Sequence, residues 1–314
     1  VSAMWELMLE KGFTREQMNA KLRERVLTLL ETKPDIVDSP EVEAKFGDNF
    51  HPKKENWPAL QGDVEFCHVD FQYKEGEKVL SDFNLKINAG ETIALVGPTG
   101  AGKSTVVNLI CRFYEPTAGE IKIDGVNYKE RSQLWLQSNL GYVLQEPRLF
   151  SGTIRDNIRY ARLDASDEEI ENAARMVNAE PFILKMEKGY DTDVGEGGSR
   201  LSTGEKQLIS FARAILADPR IFVLDEATSS VDTQTEQIIQ HAISKVLTGR
   251  TSFIIAHRLS TVRTADRILV IDDGKIKEMG THSELLRKKG VYYNLYTNQF
   301  QEEQAMEILG KAEA

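Results

Sequence analysis

The chain has 314 residues, 41% of them hydrophobic and 28% charged, the balance of a globular protein long enough to bury a substantial core in one large or two small domains. Lys and Arg total 39 against 49 Asp and Glu, and the formal charge of −10 gives no global pull toward nucleic acid. No apolar run approaches the roughly 18–20 residues that span a bilayer, and the two cysteines, Cys67 and Cys111, match no metal or redox spacing and read as packing residues.

The start, Val1-Ser2-Ala3-Met4-Trp5-Glu6, lacks the basic and apolar regions of a secretory signal, and a first residue other than Met points to a fragment of something longer. Residues 1–32 read as an N-terminal helical segment: Met4, Leu7 and Met8 share a face, Met18, Leu22, Val26, Leu29 and Leu30 recur at helical intervals, and Thr14 with Gln17 reads as a capping box. Residues 33–61, with Pro34, Pro40, Pro52 and Pro58, read as an extended linker with little structure of its own. From Val64 the period switches to strands, through Val64–Phe66, His68–Tyr73 and the region around Val79–Ile87, and Thr92–Val96 is an unbroken apolar strand. Short strands follow at Glu120–Gly125 and Leu140–Gln145. Residues of about 151–218 are mostly helical, with one helix capped by Ser166 and Glu169 and another over Glu205–Leu216. Strand and helix then alternate again: Ile221–Leu224, a helix over 233–247, Thr251–Ala256, Asp266–Asp272 and an edge strand Gly274–Met279. Helices close the domain near residue 300, and 301–314 reads as a helical tail. The alternation predicts an α/β sheet, with the helical block as an inserted subdomain.

Three stretches carry chemistry. Gly97-Pro98-Thr99-Gly100-Ala101-Gly102-Lys103-Ser104-Thr105 stands between the apolar strand and the helical run Val106–Ile110, and reads G-x-x-x-x-G-K-[ST]. Glycines let backbone N–H groups converge on phosphate oxygens, and a helix N-terminus adds partial positive charge. Lys103 would bridge the β- and γ-phosphates and the Ser104 hydroxyl would ligate Mg²⁺. The second stretch, Ile221–Leu224 followed by Asp225-Glu226, places two carboxylates at the C-terminal edge of a buried strand. There Asp225 would hold Mg²⁺ and Glu226 would polarise an attacking water. The third is Leu201-Ser202-Thr203-Gly204-Glu205 at a helix start, either an anion site or an ordinary N-cap.

In this order, together with Gln145, Ser229-Ser230-Val231-Asp232 and His257, these residues make the chain from about Gly62 to Gln299 resemble the nucleotide-binding domain of an ABC transporter, of the exporter type. The segments Phe150–Ile158 and Val194–Gly198 resemble those flanking the exporter helical subdomain, and Arg23–Pro40 resembles the stretch that leaves the last membrane helix. The resemblance implies a P-loop NTPase (RecA-like) α/β core with an antiparallel β subdomain and an inserted α-helical subdomain, over residues 62–300. It implies an ATPase, with ATP and Mg²⁺ as its ligands, that powers transmembrane export from the cytoplasmic face of the cell membrane. By the same resemblance Tyr73 stacks on adenine, although a core strand Tyr is the other reading. Gln145 touches Mg²⁺ or the water and relays to the membrane domain, His257 contacts the γ-phosphate, and Asp232 lies in the loop that crosses to the opposite subunit. Ser202 and Gly204 contact the nucleotide of a second nucleotide-binding domain in a head-to-tail dimer. His51, His68, His241 and His282 match nothing and read as surface or packing residues.

The family signature is Leu-Ser-Gly-Gly-Gln, so Thr203 and Glu205 depart from it. Thr203 adds a Cβ where backbone approaches phosphate, and a carboxylate at 205 favours the helix dipole but disfavours ATP if it points there. With an intact P-loop, Asp225, Glu226 and His257, the departure favours a heterodimer in which this chain hosts the hydrolytic site, over a homodimer. A soluble ABC-type ATPase of the DNA-repair, chromosome or translation class is the competing function. It would require a coiled-coil insertion or paired cassettes with basic arms, and this sequence has neither. Glu226 argues against a module that binds without hydrolysing, and the exporter-like segments argue against a small-molecule phosphotransferase.

Overall fold

A computed structural model of the chain describes residues 14, 16–17, 20–21, 23, 34–225, 233–256 and 259–298. Residues 1–37 form a unit separate from 38–314. Within the first, Thr14 and Gln17 make the reciprocal capping pair: the Gln17 amide oxygen accepts from Thr14 N at 2.9 Å, and the Thr14 hydroxyl accepts from Gln17 N at 3.2 Å.

The second unit begins with helix α1 (Pro40–Phe46), strands β1 (Val64–Gln72), β2 (Lys78–Ile87) and β3 (Thr92–Val96) and helix α2 (Lys103–Ile110). Strands β4 (Ala118–Ile123) and β5 (Val126–Asn127), helix α3 (Gln133–Ser138) and strand β6 (Leu140–Val143) follow. Then come helices α4 (Ile154–Arg159), α5 (Asp167–Met176), α6 (Glu180–Ile183) and α7 (Thr203–Ala217). The chain continues through β7 (Ile221–Asp225), α8 (Thr233–Leu247), β8 (Thr251–Ile255), α9 (Leu259–Thr264), β9 (Arg267–Asp272), β10 (Lys275–Gly280) and α10 (His282–Lys288). Residues 291–298 are helical.

The strands make two sheets. One is antiparallel, in the order β2-β1-β4-β5; the other has six strands in the order β10-β9-β3-β8-β7-β6 and is parallel except at β10. The inner strands β3, β7 and β8 are near-continuous buried runs because both faces of the sheet are covered there. Along β7, Ile221 and Val223 join a core with α2 and the antiparallel sheet, while Phe222 and Leu224 join a second core with α7 and α8. This is the P-loop NTPase arrangement, with the antiparallel sheet on one side and the helices of residues 154–217 on the other. Three of those helices start at reciprocal Ser/Thr–acid pairs, Thr153 with Asp156, Ser166 with Glu169 and Ser202 with Glu205. Among the described residues, no helix is long and apolar enough to cross a membrane.

The stretch 33–61, expected to be an extended linker, is corrected over 38–61. Ser39 caps α1, the Pro at 40 occupies the first helical turn where its missing N–H costs nothing, and Phe46 is 1% exposed. Val42 and Leu60 are also buried, and the Trp135 indole N–H donates to the Pro58 carbonyl at 2.8 Å. Asp38 anchors the start. Its carboxylate pairs with Arg112 at 2.8 Å and accepts from the Gln133 N–H at 2.9 Å, so it ties the end of α2 to the start of α3. Arg112, only 1% exposed, also pairs with Glu115 at 3.0 Å and donates to the Arg131 carbonyl. Replacing Arg112 with Leu strands a buried carboxylate, so Arg112→Leu is expected to destabilise the fold by about 3–5 kcal/mol in a urea melt. A loss below about 1 kcal/mol, the worth of a surface pair, would show this contact to be incidental.

Cys111 is buried, and burial pushes its thiol up to about 12, as a packing residue requires. His51 and His68 lie exposed beside Asp48 and Asp82, and His282 bonds the Tyr292 hydroxyl at 2.7 Å.

Candidate active site

The site lies at the C-terminal edge of the parallel strands, where α/β sheets place ligands. In register, Leu95 of β3 faces Ile255 of β8, and Ile255 faces Asp225 of β7. The loop after β3 therefore stands two strand spacings, about 9–10 Å, from the Asp225 carboxylate strand.

Gly97 turns the chain out of β3 at φ 148°, and a Cβ there would lie 2.0 Å from the Ile271 carbonyl oxygen. The neighbouring backbone leaves space for no side chain. Gly102 closes the loop in the left-handed region, at φ 105°, as the N-cap of α2, and no side chain caps that helix. The first N–H groups of α2 thus have neither an intrahelical partner nor a side-chain cap. Ala101 is buried, its carbonyl accepting from the Gly274 N–H at 3.3 Å, which fixes the loop to the β9–β10 turn. Pro98, Thr99 and Gly100 are exposed.

The Lys103 ammonium lies back along the loop, donating to the Gly97 carbonyl at 2.7 Å and the Pro98 carbonyl at 2.8 Å. Lys103 is 9% exposed, and burial holds its pKa below the ordinary lysine value, with the Asp225 charge opposing that shift. The lysine is therefore a poorly hydrated cation aimed along the loop, suited to a multiply charged phosphate.

A cavity of about 380 Å³, within the size range of small-molecule sites, is lined by Tyr73, Val79, Thr99, Gly100, Gly102, Lys103, Ser104, Thr105, Gln145, Asp225 and Ile255. Nine residues of the sequence-derived set thus meet in one place. Gly97, Pro98 and Ala101 belong to the same loop but do not line the cavity. Ser104 and Gln145 are exposed to the cavity, bringing a hydroxyl and an amide oxygen to the same space as the Asp225 carboxylate.

Tyr73 is 46% exposed, just past the end of β1, and so is not the core strand residue of the other reading. Its hydroxyl lies 3.1 Å from Thr105 Oγ1.

Ser202 and Gly204 do not line this cavity. They begin α7, where the Ser202 hydroxyl accepts from the Glu205 N–H at 3.3 Å and donates to the Glu205 carboxylate at 2.8 Å. The same carboxylate oxygen accepts the Ser202 N–H at 2.8 Å. The Glu205 charge is therefore folded onto its own helix start. Thr203 is exposed and Gly204 is buried. Glu226, Asp232 and His257 lie outside the described residues.

Sequence reasoning missed Val79 and Ile255. Ile255 was findable, because it ends a buried strand adjacent to the one carrying Asp225. Val79 lies on another sheet and had no local signal.

The sequence family described as ABC transporter matches residues 80–229. An uncharacterized ABC transporter ATP-binding protein, YfiC of Bacillus subtilis, is 53% identical over 244 residues, covering 78% of this chain and 40% of that protein. A fatty acid ABC transporter ATP-binding/permease protein of Mycobacterium tuberculosis is 50% identical over 261 residues, covering 83% of this chain and 40% of its own length. Among solved structures, a bacterial Atm1-family ABC exporter with ATP bound superposes with a TM-score of 0.77 at 39% identity, covering 88% of this chain and 46% of that one. The chain spans less than half the length of these relatives. Sequence, fold and site geometry agree: this chain carries the ATP-binding domain of the ABC transporter family, of the exporter type.

Proposed function

We propose that the chain is the ATP-hydrolysing part of an ABC exporter, at the cytoplasmic face of the membrane, and that it powers export through a transmembrane domain. The observation that carries this is the meeting of Lys103, Ser104, Gln145 and Asp225 in one cavity at the strand ends. Loop N–H groups, the α2 start and Lys103 hold the triphosphate, and Tyr73 stacks on the adenine. Ser104, Gln145 and Asp225 offer hard oxygen donors, the set that Mg²⁺ takes. Bound magnesium would supply charge neutralisation at the phosphates. Glu226 takes the proton of the attacking water, and His257 steadies the γ-phosphate.

A cleft of about 420 Å³ beginning next to Gln145 supports coupling to a membrane domain. Its rim carries the exposed Leu144, Phe150 and Tyr160. Arg213 of α7 braces its floor, donating to the Asn157 carbonyl at 2.7 Å and packing over Phe150. A segment seated there would touch the element that carries Gln145.

Ser202 and Gly204 would serve the nucleotide on a second nucleotide-binding domain, with ATP as the contact between the two. The Glu205 carboxylate already accepts the Ser202 hydroxyl hydrogen bond in a charge-assisted contact, stronger than the bond a Gln would accept. Such a signature gives its hydroxyl to phosphate less readily. This favours a heterodimer, in which the partner carries the weaker hydrolytic site. Specific ATPase activity of the purified chain should accordingly stay low and flat as its concentration is raised. Strong activity that climbs with concentration would instead establish a homodimer.

A further inference from the structure

We propose that Tyr114 is a positioning residue for the base-binding tyrosine, setting the ring of Tyr73 so that it can receive adenine. The inference rests on the reading of Tyr73 as the base platform.

Three aromatic rings meet beside the loop. The Phe71 ring, on a residue 3% exposed, packs edge-on to Tyr73 at 4.8 Å and 89° and to Tyr114 at 5.7 Å and 67°. Tyr114 and Tyr73 are edge-on to each other at 5.0 Å and 89°. Tyr73 thus has aromatic contacts from two directions, while its hydroxyl is tied to Thr105 inside α2. Tyr73 lies past the last residue of β1, so no ladder fixes its ring. The two ring contacts and the hydroxyl do so instead.

Tyr114 is placed firmly for this task. Arg112, two residues before it, turns the chain at φ 53° to end α2, and Glu115, one residue after it, is held by the buried Arg112 guanidinium at 3.0 Å. The Tyr114 carbonyl accepts the hydroxyl of the buried Tyr128 at 3.4 Å. Backbone on both sides is anchored, yet the Tyr114 side chain is 43% exposed and lines no part of the nucleotide cavity. A half-exposed aromatic whose ring contacts are Phe71 and Tyr73 gains little from burial. Its geometry is that of a buttress. Edge-to-face pairs favour one relative orientation over the alternatives, so a second ring narrows the orientations open to Tyr73. A platform held ready loses less freedom on binding.

The test measures binding of Mg–ATP and of Mg–tripolyphosphate, which has phosphates but no base, to the 314-residue chain by calorimetry. Tyr114→Leu should weaken ATP binding roughly 3- to 10-fold, as expected for one lost aromatic pair, and leave tripolyphosphate unchanged. Tyr114→Phe, which keeps the ring, should bind both like wild type. Wild-type ATP affinity in Tyr114→Leu would overturn the proposal, as would equal losses for both ligands, which would mark a structural defect of the loop. A wild-type chain that binds ATP no more tightly than tripolyphosphate would overturn the base-platform role of Tyr73 along with this inference. Normal discrimination by wild type that persists in Tyr114→Leu removes Tyr114 alone.

Discussion

Glu226→Gln should leave ATP binding intact and lower phosphate release by at least about 100-fold, the lower bound for removing a general base. The proposed role rests on the residues that precede it. Ile221, Phe222, Val223 and Leu224 are buried, and Asp225 closes the strand in register with Ile255. Glu226 is the next residue in sequence after Asp225, which with Lys103 lines the cavity. An amide of the same shape keeps size and hydrogen-bonding geometry but cannot accept the proton of water, so the loss falls on turnover. Phosphate release and equilibrium nucleotide binding, measured side by side on the chain assembled with its partner nucleotide-binding domain, separate the two. Undiminished turnover would remove Glu226 from the role of base.

Lys103→Met carries the other large effect, and it falls on binding. The ammonium is buried, is held by two loop carbonyls, and among the described residues is the one lysine lining the cavity. Methionine fills the space of the stem but brings no charge, so triphosphate would meet the loop N–H groups alone. Truncating one partner of a buried charged hydrogen bond costs about 2–4 kcal/mol, or roughly 30- to 1,000-fold in affinity. Circular dichroism melts should stay within a few degrees of wild type, because the core beneath the loop is built by Val106, Val107, Leu109 and Ile110 rather than by Lys103. If Lys103→Met bound Mg–ATP with wild-type affinity, the loop would not be the phosphate site.

The parts of the site that were legible in the sequence share a physical property: contiguous residues fix them. Gly97–Thr105 must leave a strand and enter a helix, so its residue types report its shape directly. Asp225 ends a run of four buried apolar residues, and such a run has little choice but to be an interior parallel strand. Tertiary contacts decided the rest. The four prolines of 33–61 suggested open chain, but Pro40 starts a helix and Pro58 supplies a carbonyl to the Trp135 indole. Helix α3 has only six residues, too few for its apolar spacing to stand out, and Asp38, distant in sequence, meets its first N–H. Tyr73 was ambiguous because alternation along a strand cannot tell a core ring from one just beyond the strand end. The direction of the Glu205 carboxylate was likewise open. The sequence allowed it to cap or to confront a phosphate, and the hydrogen bonds to Ser202 decide for capping.

The measurement that bears most directly on the proposed function is equilibrium binding of Mg–ATP to the purified chain, wild type against Lys103→Met. The site described predicts one saturable equivalent per chain, lost or weakened at least about 30-fold in the variant. Absence of saturable binding to the folded wild-type chain, or equal binding to both proteins, would contradict it.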